Sequence, residues 1–255
     1  MLQAIIDHKV QELEARRRAR PLPALRAAPL FTAPRRDLVA ALAAPGRRII
    51  AEVKRASPSR GRIREDFDPV AIAAGYAAAG AAAVSVLTDE RFFEGSLESL
   101  SAVRERVTVP VLRKDFLFEP YHLYEARASG ADAFLLIAAI LTAEHMRELV
   151  ALGEELGMTA LVEVHTAEQI ERAGAAGVRV WGINNRDLDT LEVRLETGLE
   201  LLRLLPPGAT VVIESGLRTR DDLARFEAAG AHAFLIGETL MRAPDPGAAL
   251  AALLR

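Results

Sequence analysis

Four short apolar runs in this chain end in ionisable side chains. They are Arg48–Lys54 (RIIAEVK), Pro110–Lys114 (PVLRK), Thr159–His165 (TALVEVH) and Thr210–Ser215 (TVVIES), carrying Glu52 with Lys54, then Lys114, Glu163 and Glu214. Side chains alternate along a strand, so Glu52 shares a face with Lys54, and Glu163 with His165. A mixed Lys/Glu group suits proton transfer, because neighbouring charges and loss of water set each pKa. It suits a divalent metal poorly: ammoniums repel the cation, and none of the five His residues falls in an HExxH pattern. One such charge could be an exposed strand end or half of a structural ion pair. Four of four point to function, since burying a charge is costly unless it is paired or functional.

Between these runs lie segments that share a plan: AAGAAAVSVLT ending at Thr88, ASGADAFLLIA at Ala138, AAGVRVWGINN at Asn185 and AAGAHAFLIGE at Glu238. Each passes from a small-residue helix end through Gly80, Gly130, Gly177 or Gly230 into an apolar strand, and glycine fits the left-handed residue that closes a helix. The repeats come at intervals of roughly 50 residues, about twice one βα unit. The charged runs fill the gaps, giving eight strands with a helix after each, such as Glu119–Ser129 and Ala143–Gly157. This predicts a (β/α)8 TIM barrel, with its active site at the C-terminal strand ends and alternate strands filling the same interior layer. A doubly wound open sheet is the runner-up, but neither a GxGxxG after the first strand nor a P-loop is present.

The 255 residues, 51% hydrophobic with a net charge of −3, describe a soluble globular chain. One barrel (47–255) behind a helical N-terminal extension of about 45 residues (1–46) uses that length, so we expect one domain and no fused partner. In the extension, Leu2–Arg20 reads as a helix. A linker with Pro21, Pro23, Pro29 and Pro34 follows, then a short helix near Arg36–Ala43. These helices are expected to cover the rim or the bottom of the barrel. The basic run Arg16–Arg20 reads as a solvated helix face rather than a nucleic-acid contact, since Glu12 and Glu14 precede it and no aromatics interleave. Zero Cys excludes disulfides, thiolate metal sites and a cysteine nucleophile. Residues Pro69–Thr88 carry no charge, but Gly75 and Gly80 interrupt them, which fits helix, turn and buried strand better than a membrane span. Met1–Arg20 is charged throughout and lacks a signal-peptide core. We expect a cytoplasmic protein without nucleic-acid or membrane partners, monomeric or at most weakly self-associating.

The remaining strand ends suggest what is bound. The sixth ends in Gly182-Ile183-Asn184-Asn185-Arg186-Asp187, the seventh is followed by Ser215-Gly216, and the eighth by Gly237-Glu238. Barrels of this type often bind phosphate at the loops after strands seven and eight, where glycine lets backbone N–H groups approach the anion. Ser57-Pro58-Ser59-Arg60-Gly61 after the first strand is a further candidate, and also a plausible plain turn. Phe92, Phe93, Phe116 and Phe118 follow strands two and three and suggest a planar apolar group at the same rim. The ligand expected is a phosphorylated, partly aromatic small molecule, handled by Lys/Glu acid–base chemistry.

These residues resemble a known family, the indole-3-glycerol phosphate synthases of tryptophan biosynthesis. The matching segments are Ile50–Ser59 (IAEVKRASPS), Leu87–Leu97 (LTDERFFEGSL), Pro110–Phe116 (PVLRKDF), Leu161–His165 (LVEVH), Gly182–Leu191 (GINNRDLDTL), Glu214–Leu217 (ESGL) and Phe234–Met241 (FLIGETLM). They cover residues 48–243 closely and the N-terminal helices more loosely.

The resemblance implies a carboxy-lyase that closes the ring of 1-(2-carboxyphenylamino)-1-deoxyribulose 5-phosphate, releasing CO2 and water, with no cofactor or metal. It implies that Lys114 is the general acid at the substrate carbonyl and Glu163 the acid–base partner in dehydration. Lys54, paired with Glu52, would hold the substrate carboxylate, and Asn184 and Glu214 would orient hydroxyls and lysines. Which lysine serves which proton transfer stays open. For the phosphate it points to Ser57, Ser215, Gly216, Gly237 and the N–H of Glu238. Many relatives carry serine at that last position, so the Glu238 side chain is expected to turn away. For the ring it points to Pro58, Phe93, Phe116, Leu135 and Leu188, with Arg186 near the acidic group; Leu135 and Leu188 also read as core. The alternatives are a catalytically silent phosphosugar-binding barrel and another phosphosugar enzyme such as a phosphoribosylanthranilate isomerase. The latter would be expected to use an Asp/Cys pair, and this chain has no Cys.

Overall fold

A computed structural model describes residues 1–231 and 233–255; His232, within the fourth repeat, lies outside the described residues. Eight parallel strands close into a barrel: β1 (Arg48–Val53), β2 (Ala83–Leu87), β3 (Val111–Lys114), β4 (Ala133–Ile137), β5 (Thr159–Val164), β6 (Val180–Asn184), β7 (Thr210–Glu214) and β8 (Ala233–Ile236). The closing pair sets Arg48 opposite Ala233 and Ala51 opposite Ile236. The expected (β/α)8 barrel is the observed fold.

Strand alternation divides the apolar residues into two cores. Ile49, Ala51 and Val53 of β1 face outward and pack with Val84, Phe134, Val162, Ile183 and Phe234 under the helices. Ile50, Leu112, Leu161 and Val212 fill the barrel interior. These last four come from β1, β3, β5 and β7. Two residues further along the same strands, and so on the same face, stand Glu52, Lys114, Glu163 and Glu214. The charged layer is thus stacked directly on an apolar one.

Gly80, Gly130, Gly177 and Gly230 have φ of 98°, 91°, 76° and 101°, the left-handed conformation expected at these helix ends. The uncharged run after Asp68 is a helix, Pro69–Ala78, followed by a turn and β2. Among the described residues no helix is long and apolar enough to cross a membrane.

The N-terminal segment comprises α1 (Leu2–Ala19), α2 (Leu22–Arg26) and α3 (Leu38–Ala43). The proline-containing linker therefore holds a helix of its own, begun by Pro21 in extended geometry with prolines early in the turn. Helix α3 starts two residues later than expected because Asp37 caps it, accepting from Ala40 N at 3.0 Å. Leu38 and Leu42 of α3 join the interior core from the N-terminal end of the strands. Helix α1 lies across the opposite end and buries Ile5, Lys9 and Leu13, one stripe at four-residue spacing. The expectation of a solvated face at Arg16–Arg20 needs correction. Arg16 donates to Glu125 and Glu90 at 3.0 Å each and Arg17 to Glu119 at 2.9 Å, so the first two arginines dock α1 on the barrel. Arg18 and Arg20 are exposed.

Candidate active site

Glu52, Lys54, Lys114, Glu163, Glu214 and Asn184 converge at the C-terminal mouth of the barrel. Lys114 Nζ lies 3.3 Å from Glu163 Oε2 and 3.4 Å from Glu214 Oε2. Asn184 Nδ2 donates to Glu163 Oε1 at 2.9 Å, and the N–H of Arg186 donates to Asn184 Oδ1 at 3.0 Å, which fixes the amide's orientation. Lys54 Nζ sits 2.5 Å from Glu52 Oε1. Two glycines make room for this layer. A Cβ on Gly182 would collide with Glu214 Oε1, and one on Gly237 with Glu52 Oε1. Gly182 lies between Glu163 and Val212 in the sheet register, so the space it leaves is directly beside the cluster.

Electrostatics follow from the count of charges. Two ammoniums, Lys54 and Lys114, face three carboxyls, Glu52, Glu163 and Glu214. Burial favours neutral Lys114, but Glu163, Glu214 and Glu52 together hold its ammonium well above the ordinary lysine range. Burial would raise Glu52, yet Lys54 and Lys114 hold it below the usual carboxylate range. Glu214 goes the other way. Burial, with Glu163 and Glu52 close by, outweighs Lys114 and pushes it up to about 8. Its Oε1 has no hydrogen-bond partner. At neutral pH the site therefore holds a charged lysine beside a carboxyl that keeps its proton, an arrangement able to stabilise negative charge developing on a substrate oxygen.

A cavity of about 960 Å³ opens above this layer. All the residues expected to bind substrate line it: Ser57, Pro58, Phe93, Phe116, Leu135, Arg186, Leu188, Ser215, Gly216, Gly237 and Glu238. Leu135 is buried with the interior core and lines the cavity as well. Of the four phenylalanines, Phe93 and Phe116 face the cavity with ring centroids 6.1 Å apart. Phe92 instead packs edge-on to His8 and Phe118 edge-on to His122. Ser215 and Gly216, which also line the cavity, both have positive φ, 64° and 80°. The Glu238 carboxylate is gripped by Arg60 Nε at 3.1 Å and Arg242 Nε at 3.0 Å, so its charge is answered by two guanidiniums. Among the described residues no group of three His, Asp or Glu is placed to hold a metal.

The N-terminal helices were expected at the rim or the bottom, but none of their residues was named for the site. Met1, with Leu2 and Ile5 of α1, lines the cavity, and behind them Lys9 is buried against Asp89 and Asp115. A lysine inside the apolar stripe of α1 was the legible signal.

A parallel barrel with a buried Lys/Glu layer beneath a cavity lined by both apolar and basic side chains is the architecture of an acid–base enzyme acting on small anionic molecules. The family model for indole-3-glycerol phosphate synthase matches residues 2–253. The chain belongs to that family. It is 50% identical over 257 aligned residues to the indole-3-glycerol phosphate synthase of Albidiferax ferrireducens, covering 99% of this chain and 97% of the relative. It is 49% identical to that of Chromobacterium violaceum, with the same coverage. Among solved structures, the 3-hexulose-6-phosphate synthase of Salmonella typhimurium superimposes with a TM-score of 0.63 at 10% identity, covering 81% of this chain and 98% of that one. KGPDC from Streptococcus mutans gives 0.62 at 14% identity, covering 82% and 96%. At such identities these two bear on the fold alone.

Proposed function

We propose that this chain is an indole-3-glycerol phosphate synthase, converting 1-(2-carboxyphenylamino)-1-deoxyribulose 5-phosphate into indole-3-glycerol phosphate, CO2 and water. The observation that carries this is Lys114 held between Glu163 and Glu214 at the floor of the cavity, in a chain whose family is that synthase. The ring carbon bearing the carboxylate attacks the ketone, and Lys114 delivers a proton to the developing alkoxide. Electrons from the departing CO2 then flow into the iminium formed by the anilino nitrogen, so the substrate serves as its own electron sink. Loss of the hydroxyl as water, with Glu163 as acid–base partner, completes the indole.

Lys54, neutralised by Glu52, is set to receive the substrate carboxylate. Phe93, Phe116, Pro58 and Leu188 supply an apolar wall for the ring. The phosphate is assigned to Ser57, Ser215, Gly216, Gly237 and the Glu238 N–H, where backbone N–H groups can point at an anion. With Arg60 and Arg242 holding the Glu238 carboxylate, its charge does not oppose the phosphate. The deciding experiment is a fluorescence assay for indole-3-glycerol phosphate with EDTA present. Turnover supports the reading. Tight substrate binding without turnover would leave a silent phosphosugar-binding barrel in its place.

A further inference from the structure

Lys9 is 1% exposed although it lies on a surface helix. Its ammonium is 2.8 Å from Asp115 Oδ1, 2.8 Å from Glu12 Oε1 and 3.5 Å from Asp89 Oδ2. Asp115 and Asp89 are themselves fully buried. Asp115 immediately follows Lys114. It accepts from the Phe116 N–H at 2.8 Å, from Thr88 Oγ1 at 2.6 Å and from Arg113 Nη2 at 3.2 Å. Asp89 caps the short helix Glu90–Phe93, accepting from Phe92 N at 2.6 Å. One ammonium thus joins three segments: α1, the turn carrying Phe93 and the turn carrying Phe116.

Those three segments form one wall of the cavity. Ile5, one helical turn before Lys9, lines it together with Leu2 and Met1, and Ile5 and Leu2 share one apolar cluster with Phe93 and Phe116, which line it too. Burying three charges together is a poor way to gain stability, because desolvation offsets most of the attraction. What such a cluster can do is tie the segments together, because pulling any one of them away would leave a buried charge unpaired.

We propose that Lys9 is a positioning residue for the substrate's aromatic ring: by bridging Asp89 and Asp115 it holds the α1 roof against Phe93 and Phe116. This rests on the synthase reading above. Lys9 touches neither the cavity nor the Lys114–Glu163–Glu214 group, so its effect belongs to ring binding rather than to proton transfer or phosphate binding.

The test is Lys9→Met, which keeps the length of the side chain and removes the charge. Steady-state kinetics with the carboxyphenylamino-deoxyribulose phosphate are compared with inhibition by inorganic phosphate, a probe of the other end of the cavity. We expect KM to rise about tenfold or more while kcat changes by less than about threefold, the pattern of lost ground-state binding. The inhibition constant for phosphate should stay at the wild-type value. A lower melting temperature with unchanged KM would overturn the proposal, leaving Lys9 a purely structural residue. So would equal losses in kcat, KM and phosphate inhibition. If Lys9→Met does not fold, Ile5→Ala reads the same wall with every charge in place, and an unchanged KM there is equally fatal. Wild-type protein without turnover would instead remove the synthase reading, and the inference with it.

Discussion

Lys114 Nζ and Glu214 Oε2 lie 3.4 Å apart at the floor of the cavity, while the other oxygen of Glu214 is buried without a partner. This pair explains how two ammoniums and three carboxyls can share one small volume. A proton on Glu214 cancels the surplus negative charge, and burial with Glu163 and Glu52 nearby raises it to about 8.

The pH dependence has a definite sign. Because Glu214 titrates near 8 when folded and in the ordinary carboxylate range when unfolded, the folded state carries the extra proton between the two values. Its contribution to stability is complete below the unfolded pKa and is lost as pH rises through about 8. Thermal unfolding at pH 5 and pH 9 is therefore expected to show a drop in Tm that Glu214→Gln reduces. kcat/KM should likewise fall on the alkaline side near pH 8 in the wild type, and that limb should vanish in Glu214→Gln. A limb unchanged in the variant would assign the titration to another group.

Removing Lys114 tests the acid itself. Lys114→Ala deletes the donor for the developing alkoxide and leaves the phosphate and ring walls untouched. Turnover should fall by about 10³-fold or more with substrate affinity within about tenfold of wild type, because the lost interaction belongs to the transition state. Single-turnover kinetics and calorimetric titration together check it. Near-normal turnover would move the acid elsewhere.

Glu163 is held from two sides, by Asn184 at 2.9 Å and Lys114 at 3.3 Å. Glu163→Gln preserves its shape but turns an acceptor into a group that must present N–H₂ to one of two donors. kcat should fall by about 10²- to 10⁴-fold, the usual range for a lost acid–base group. Circular dichroism should show the barrel unchanged.

The strand ends were legible because a carboxylate or ammonium inside a four- to six-residue apolar run contradicts the pattern around it, as at Glu52 in RIIAEVK. The glycines at helix ends and the repeat spacing gave the barrel for the same local reason. The Lys9–Asp89–Asp115 bridge was not legible. Its members are separated by 80 and 26 positions, and only the docking of α1 over the strand ends brings them together. The Arg16–Arg20 run misled for a related reason: periodicity reports a polar face, but not that Glu90, Glu119 and Glu125 wait opposite it.

Gly237 offers a test of the layer's packing that leaves every charged group in place. Its φ is −121°, outside the left-handed region that favours glycine, so the substitution acts chiefly through volume. The new Cβ would run into the Glu52 carboxylate and lie 3.1 Å from Glu52 Cβ. Glu52 cannot retreat easily, because it is buried and bound to Lys54. Gly237→Ala should therefore break the Glu52–Lys54 pairing, lowering kcat/KM by about tenfold to 100-fold and Tm by a few degrees, as overpacking does. Gly75→Ala is the control: it lies in a helix where an added methyl would meet nothing within 4 Å, and should leave kcat/KM unchanged while stabilising the fold by about 0.5 to 1 kcal/mol. Wild-type kinetics in Gly237→Ala would show that the Glu52 carboxylate is free to shift, and that its contact with Lys54 is not what holds the lysine in place.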